Sequence, residues 1–253
     1  SYRKIRNTFR FILGNIKDSF EEQDLKKIDT SNLEELEKYI LHKIFILDKS
    51  VKENLKNYNF HKLYRELLNF CTLDLSSFYF DIRKDVLYCD SLKSKKRKNC
   101  VVVLNVILDC LLKWFAPIFV FTTDEIYTLL KKDESSIHEY LFPTIPTNWE
   151  NRELNDKWKQ LFKIKQVANI AIEEKRANKE IGSSLEAEVK VIANKENYDL
   201  LDGLDLAEYF ITSKAEMIKS ENKKEELKIE VLKTNGNKCP RCWKILKNKC
   251  VRC

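Results

Sequence analysis

Four cysteines near the end of the sequence carry the plainest chemistry: Cys239-Pro-Arg-Cys242 and Cys250-Val-Arg-Cys253, two C-x-x-C pairs separated by seven residues. Each pair can wrap two thiolates around one ion. Four cysteine sulfurs close a tetrahedron about Zn²⁺ and leave no position open for water, which makes a structural site rather than a catalytic one. Two disulfides or four independent thiols are the competing readings of this spacing. The remaining cysteines, Cys71, Cys89, Cys100 and Cys110, are widely spaced in apolar helical runs. They read as small hydrophobes in a reducing compartment, not as a disulfide framework. The tail also holds Lys238, Arg241, Lys244, Lys247, Lys249 and Arg252, with no acid from Asn235 onward. These cations outweigh the net negative charge of a zinc tetrathiolate, so the knuckle stays positive. Trp243 directly follows a ligand, and so short a hairpin has little core to cover it. It reads either as a stacking platform for an unpaired base or as packing on the preceding module.

Other chemistries are excluded by composition. The chain has 253 residues with four glycines and four prolines, about 3% together against about 12% in average usage. Gly14, Gly182, Gly203 and Gly236 are too far apart for a phosphate-binding loop, a dinucleotide fingerprint or a nucleophile elbow. The three histidines, His42, His61 and His138, are isolated and read as structural or surface residues. The net charge is +7, a mild excess whose distribution matters more than its sum. The most apolar stretch, Val101 to Phe121, contains Asn105, Asp109, Lys113 and Pro117 and reads as a buried helix, not a membrane span. A soluble, cytoplasmic chain is expected, with an organelle of bacterial descent as the alternative address.

Long helices should position the rest. Residues 1–17 place Ile5, Phe9, Ile12, Leu13 and Ile16 on one helical face and Arg3, Arg6, Arg10 and Lys17 on a second stripe. That stripe is either a solvated face or a phosphate-binding one. Ser31-Asn-Leu-Glu34 predicts a capping box opening a helix that carries Leu33, Leu36, Ile40, Ile44, Leu47 and Val51. Helical runs follow over His61–Cys71 and Phe78–Tyr88. Lys93-Ser-Lys-Lys-Arg-Lys98 puts five positive charges before the apolar helix of Val101–Phe115, and Thr122-Thr-Asp-Glu125 predicts a second capping box. A loop from Leu141 to Trp149 reads as a tether docked on this antiparallel helical bundle. The next helix is expected over Arg152–Glu180, stopping at Gly182. Alternation at Val189, Val191 and Ala193 predicts a strand, as do Tyr209–Thr212 and Leu227–Leu232, with an exposed turn over Lys219–Glu226. The fold class is therefore mainly α: a bundle over 1–150, a long helix with a small α+β module over 151–234, and a zinc knuckle over 235–253.

Ser1-Tyr-Arg-Lys-Ile-Arg-Asn-Thr-Phe-Arg-Phe-Ile-Leu-Gly-Asn-Ile16 resembles the start of the anticodon-binding domain of bacterial-type isoleucyl-tRNA synthetases, which are class I aminoacyl-tRNA synthetases. Ser77-Phe-Tyr-Phe-Asp-Ile-Arg-Lys-Asp-Val-Leu-Tyr88 and Ala116-Pro-Ile-Phe-Val-Phe-Thr-Thr-Asp-Glu-Ile-Tyr127 are similar to two bundle motifs of that family, which usually carries Trp in place of Tyr127. Ile181-Gly-Ser-Ser-Leu-Glu-Ala-Glu-Val189 and the Cys-x-Arg-Cys-Trp tail complete five matches in order. The bundle motifs also suit valine- and leucine-type relatives; the last two point to isoleucine. The family's catalytic and editing domains are missing, and the tail is shorter than is usual.

The resemblance implies the C-terminal portion of a longer, monomeric enzyme that joins isoleucine to its tRNA using ATP. ATP would belong to the missing catalytic domain and one Zn²⁺ to this portion, which is itself non-catalytic. Its partners would be an isoleucine-accepting tRNA and the missing domains of the same polypeptide. Expected RNA contacts are Arg3, Arg6, Arg10, Lys95, Lys96, Arg97, Arg241 and Arg252 on the backbone, with Trp243 and then Trp149 stacking on bases. Two other classes fit the layout less well. A zinc-finger DNA glycosylase needs a catalytic N-terminal amine on a sheet-rich domain, where this chain starts with a helix. A protein-interaction module would leave the basic first helix and Lys93–Lys98 without a purpose.

Overall fold

The computed structural model describes residues 1–16, 20, 24–131, 135–220, 227–250 and 252–253. Lys17 of the basic stripe and most of the turn expected over Lys219–Glu226 lie outside them. The chain divides into two compact units, Ser1–Leu87 with Ser91–Asn151, and Tyr88–Asp90 with Arg152–Cys253.

The first unit is an antiparallel bundle. Its elements are α1 (Tyr2–Ile16), α2 (Glu35–Lys56), α3 (Phe60–Asn69), a π-helical stretch (Phe70–Tyr79), α4 (Phe80–Cys89), α5 (Lys95–Phe115) and α6 (Val120–Lys131). α1 buries Ile5, Phe9, Ile12 and Ile16, the face its periodicity predicts. α5 is buried all round from Val103 to Leu112, Asn105 and Asp109 included, and runs through the core against α1, α2 and α6. Ser94 caps it, accepting a hydrogen bond from the Arg97 amide, so the basic run is the first turn of this helix rather than a loop before it. Phe115 meets Phe9 edge-on at 6.2 Å and stacks on Phe119 at 5.2 Å.

A buried ion pair fixes the bundle's interior. Arg83 donates from Nε and Nη2 to the two carboxylate oxygens of Glu37, both at 2.7 Å, with both side chains buried. The hydroxyl of Tyr79 donates to Glu37 at 3.2 Å, and Arg83 Nη2 also reaches Glu34 at 2.8 Å. Desolvating two charges is tolerable because the contact is bidentate and the leftover lone pairs are met. Tyr79 and Arg83 both belong to the Ser77–Tyr88 motif, which thereby has a structural reason.

Neither expected capping box forms. α2 starts at Glu35 with Glu34 at its N-cap and no side-chain cap, because the Ser31 hydroxyl bonds Asp29 at 2.5 Å. α6 begins at Val120, which places Thr122 and Thr123 inside the helix, where Thr123 Oγ1 bonds back to the Phe119 carbonyl at 3.0 Å. The two helical runs expected between His61 and Tyr88 are joined by the π-helical stretch. It keeps Phe70, Cys71, Leu75, Phe78 and Tyr79 buried across the junction. The tether docks as expected: Lys52 Nζ donates to the Pro143 carbonyl at 3.3 Å, and the Asn151 amide donates to Nδ1 of buried His42 at 3.0 Å.

The second unit opens with α7 (Arg152–Ala177), then β1 (Ala187–Ala193), α8 (Lys195–Leu201), α9 (Leu206–Tyr209), β2 (Lys214–Lys219), β3 (Leu227–Lys233), β4 (Asn237–Lys238) and β5 (Ile245–Leu246). α7 ends earlier than Gly182 predicts. Lys179 takes the left-handed conformation at φ 59°, and the Lys179 and Glu180 amides bond the Arg176 and Lys175 carbonyls, both at 3.0 Å. This is a Schellman stop with lysine where glycine is commonest.

The sheet order is β2-β1-β3, with β2 parallel to β1 and β3 antiparallel to it. Val189 pairs with Ala215 on one side and Val231 on the other. Ala187, Val189, Val191 and Ala193 are buried, as alternation predicts. The strand expected at Tyr209–Thr212 is instead the end of α9 and a turn through Ile211 at φ 58°. Tyr209 and Phe210 are still buried, with Tyr209 edge-on to Trp158 at 5.7 Å. The opposite face of the sheet is a charge ladder, with Lys214 to Glu188 at 2.5 Å and Lys190 to Glu216 at 3.2 Å.

Candidate metal centre and nucleic-acid surfaces

The four tail cysteines come together at the β4–β5 hairpin. One sulfur from each of Cys239, Cys242, Cys250 and Cys253 lies within 4.8 Å of the others. A tetrahedral ion with metal–sulfur bonds of about 2.3 Å requires sulfurs about 3.8 Å apart. Cys242 and Cys250 stand 3.9 Å apart, far beyond the ~2.05 Å of a disulfide bond. The set could hold a metal ion.

Local backbone geometry prepares the ligands. The Cys239 amide bonds the Lys244 carbonyl at 2.9 Å and the Trp243 amide bonds the Cys239 carbonyl at 3.0 Å, curling Cys239–Cys242 into a knuckle. The amide N–H of Cys242, and then that of Arg241, donate to the Cys239 sulfur and pull its thiol down to about 6. Hydrogen bonds to a thiolate favour it over the thiol, and the thiolate is the ligand. Gly236 turns the chain into the hairpin at φ 148°, and a Cβ there would lie 2.4 Å from the Leu246 carbonyl oxygen, so only glycine fits.

Trp243 occupies a position that favours glycine. Its φ is 63°, and 61% of its surface is exposed, with the Lys238 ammonium 5.8 Å from the ring centroid. An L-residue in this conformation costs roughly 1–2 kcal/mol, and the ring recovers little of that by burial.

Two arginines of the tail have protein partners. Arg241 Nη2 donates to the Tyr88 carbonyl at 2.8 Å, and Arg252 Nε pairs with the Asp90 carboxylate. Cys89, between those partners, is buried against Cys239 and Cys242 with Cys250 packed alongside. No residue near the tail signals this contact, because the segment Tyr88–Asp90 lies far upstream of it.

The first unit carries the other expected residues. Arg3, Arg6 and Arg10 are exposed along one side of α1, and no ion pair reaches them among the described residues. Lys95 donates to Asn32 Oδ1 at 3.1 Å, and Lys96 Nζ lies 3.7 Å from Glu34. Arg97 is half-buried on the same turn. Cations in a first helical turn oppose the helix dipole, and the Glu34 carboxylate offsets part of that cost at Lys96. Trp149 does not fit its expected role: it is 3% exposed in the turn Thr147–Trp149, beside α2, and offers no face to a base. No helix among the described residues is long and apolar enough to cross a membrane.

Comparison with known proteins agrees with this geometry. The family described as "Anticodon-binding domain of tRNA ligase" matches residues 37–192. An isoleucine–tRNA ligase of Pelagibacter ubique is 53% identical over 252 residues, 100% of this chain and 28% of that protein. One from Agrobacterium fabrum is 40% identical over 97% of this chain, and one from Zymomonas mobilis is 36% identical, also over 97%. The chain spans about a quarter of the length of these relatives, 26–28%. With its helical bundle and a match over more than half its length, the chain belongs to the anticodon-binding domain family of tRNA ligases.

Proposed function

We propose that this chain is the tRNA-docking part of an isoleucine–tRNA ligase, and that its tail holds one structural Zn²⁺. The observation that carries the reading is the 53% identity to the Pelagibacter enzyme over 252 residues, 100% of this chain. The bundle holds the anticodon stem and loop, and the knuckle helps close over the RNA. Activation of isoleucine by ATP belongs to the rest of the enzyme. Zinc suits four sulfurs near tetrahedral spacing, and a closed shell of this kind supports folding rather than reaction. The working parts are residues 1–150, 151–234 and 235–253, in the cytoplasm.

Arg3, Arg6 and Arg10 neutralise phosphates, because they are exposed and lack ion-pair competitors among the described residues. Lys95, Lys96 and Arg97 add a second basic cluster, where a phosphate relieves the repulsion at the start of α5. Trp243 stacks on an unpaired base. Trp149, Arg241 and Arg252 are left out of the contact set, the first for burial and the others for their bonds to Tyr88 and Asp90. The test is binding of the zinc-loaded chain to an isoleucine tRNA and to the same tRNA with its anticodon replaced, at two salt concentrations. Tighter binding to the intact anticodon, persisting at the higher salt, is expected. Equal, salt-sensitive binding to both would reduce this chain to a basic RNA-docking surface.

A further inference from the structure

The four sulfurs that come together at the tail all belong to residues from Cys239 onward, so this set takes no ligand from the β2-β1-β3 sheet. A metal held by such a set shapes the hairpin from within and leaves its direction on the sheet unfixed. The chain enters the hairpin from β3 through Thr234 and Gly236, where the Thr234 amide makes its last bond to the turn before β1, at the Glu186 carbonyl (2.8 Å). A contact outside the ligand set must then orient the hairpin.

Ser213 makes that contact, within the second unit. After α9 the chain turns through Ile211 at φ 58° and the buried Thr212. The Ser213 amide donates to the Ala187 carbonyl at 3.2 Å, which fixes the residue beside the start of β1. From there its half-buried hydroxyl accepts from the Ile245 amide of β5 at 2.6 Å and donates to the Leu185 carbonyl. A hydroxyl both donates and accepts, and here both capacities join the turn Ser184–Glu186 to the hairpin.

The position of this tie gives it a task. Ile245 follows Lys244, whose carbonyl accepts from the Cys239 amide at 2.9 Å, and Lys244 follows Trp243, whose amide donates to the Cys239 carbonyl at 3.0 Å. The exposed ring therefore stands in a turn closed by backbone bonds, next to the tied strand. The Arg241–Tyr88 and Arg252–Asp90 contacts are of another kind. Each arginine precedes a member of the cysteine set, Cys242 or Cys253, so its loss disturbs the metal as well. Ser213 holds the stretch between the two cysteine pairs.

We propose that Ser213 is a positioning residue for RNA binding: the relay from the Ile245 amide through Ser213 Oγ to the Leu185 carbonyl sets the direction in which the knuckle presents Trp243. The inference rests on the tRNA-docking reading above. Ser213 acts through Trp243 and not by touching the RNA.

The experiment compares the zinc-loaded full chain with its Ser213→Ala, Ser213→Thr and Trp243→Gly variants and with the double variant Ser213→Ala, Trp243→Gly. It reads Kd for an isoleucine tRNA, the rate of zinc release to excess EDTA, and hydrogen exchange of the Ile245 amide by NMR. Alanine removes both bonds, so exchange at Ile245 should quicken about 2- to 10-fold, while zinc release stays within about twofold of wild type because the sulfurs keep their own bonds. Kd should rise about 3- to 10-fold, and by no more than in Trp243→Gly, since a misdirected ring cannot lose more than the whole stack. Threonine keeps the hydroxyl and should bind more tightly than alanine. In the Trp243→Gly background Ser213→Ala should change Kd less than about twofold, because the group it acts through is gone, whereas a serine with a merely structural role would cost the same affinity in both backgrounds. Wild-type affinity in Ser213→Ala, an equal loss in both backgrounds, zinc loss in parallel with affinity, or a threonine variant as weak as alanine would each overturn the inference. If the wild-type chain does not bind the tRNA, the docking reading fails and this inference with it; if it binds and either Trp243→Gly or Ser213→Ala matches it, only this inference fails.

Discussion

Replacing Trp243 by glycine should separate fold from function, because it leaves stability nearly unchanged while removing the stacking face. The residue sits at φ 63° with 61% of its surface in solvent. Glycine relieves a left-handed strain of roughly 1–2 kcal/mol and adds about 0.5–1 kcal/mol of unfolded-chain entropy. The part of the ring that is covered loses its contacts as well. The balance is a change in stability of the knuckle within about 1 kcal/mol of zero. Loss of one base–aromatic stack costs about 1–3 kcal/mol, which is about a 5- to 150-fold rise in Kd. Fluorescence anisotropy with a labelled anticodon stem-loop reads the affinity, and zinc content reads the fold. The tryptophan carries no charge, so the slope of log affinity against log salt should stay the same while the line drops. Trp243→Phe, which keeps a smaller face, should fall between. A Kd within twofold of wild type, with zinc retained, would refute the stacking role. A parallel loss of zinc and affinity would show that the ring is structural.

Three more outcomes follow from other parts of the chain. The triple change Arg3→Ala, Arg6→Ala, Arg10→Ala should lower the salt slope of tRNA binding by about 2–3, since each phosphate contact contributes about 0.7–0.9; titrations at several salt concentrations check it, and an unchanged slope would leave the stripe a solvated face. Arg83→Met strands the buried Glu37 carboxylate and should cost the bundle about 3–5 kcal/mol in urea unfolding, whereas Arg83→Met with Glu37→Met should recover most of that loss. Burial pushes the Cys71 thiol up to about 12 and raises that of Cys110 as well, so both should resist iodoacetamide at pH 8.5 in the folded chain and react once urea unfolds it, as peptide mass mapping would show.

What could be read from sequence was the local and periodic part. Val189, Val191 and Ala193 announce β1 because a half-buried strand alternates by twos. Ile5, Phe9, Ile12 and Ile16 announce α1 because one helical face repeats every three to four residues. The tail cysteines announce a set able to hold a metal ion because two C-x-x-C turns suffice to bring four sulfurs together. The misreadings share another cause, in that a short signal is compatible with more than one partner. Ser31 has the residue types of a capping box, but Asp29 is nearer and takes its hydroxyl. Tyr209 and Phe210 are apolar enough for a strand, yet a run of that length packs equally well at the end of a helix. β2 went unseen because Lys214–Lys219 is a partly exposed edge strand with no clean alternation. Lys179 takes a left-handed stop that composition would assign to Gly182.

The contacts that sequence could not show are those that decide which tail residues are free for RNA. Arg241, Arg252 and Trp243 look equivalent on paper, as two cations and an aromatic beside metal ligands. The structure divides them: the arginines bond to Tyr88 and Asp90, and Trp243 keeps most of its surface in water. The division has an energetic logic. A guanidinium is suited to holding a carbonyl or a carboxylate because its donors are fixed in a fork. An indole in a left-handed turn, with the Lys238 ammonium near its ring and most of its surface in water, stabilises little around it, and its exposed face is what the proposed base stacking uses. The basic tail is therefore two layers, arginines turned toward Tyr88 and Asp90 and a tryptophan turned toward solvent. If so, Arg252→Ala should weaken RNA binding only as far as it loosens the metal. The ratio of its effect on tRNA affinity to its effect on zinc release should then match that of Asp90→Ala, which removes the other half of the same pair.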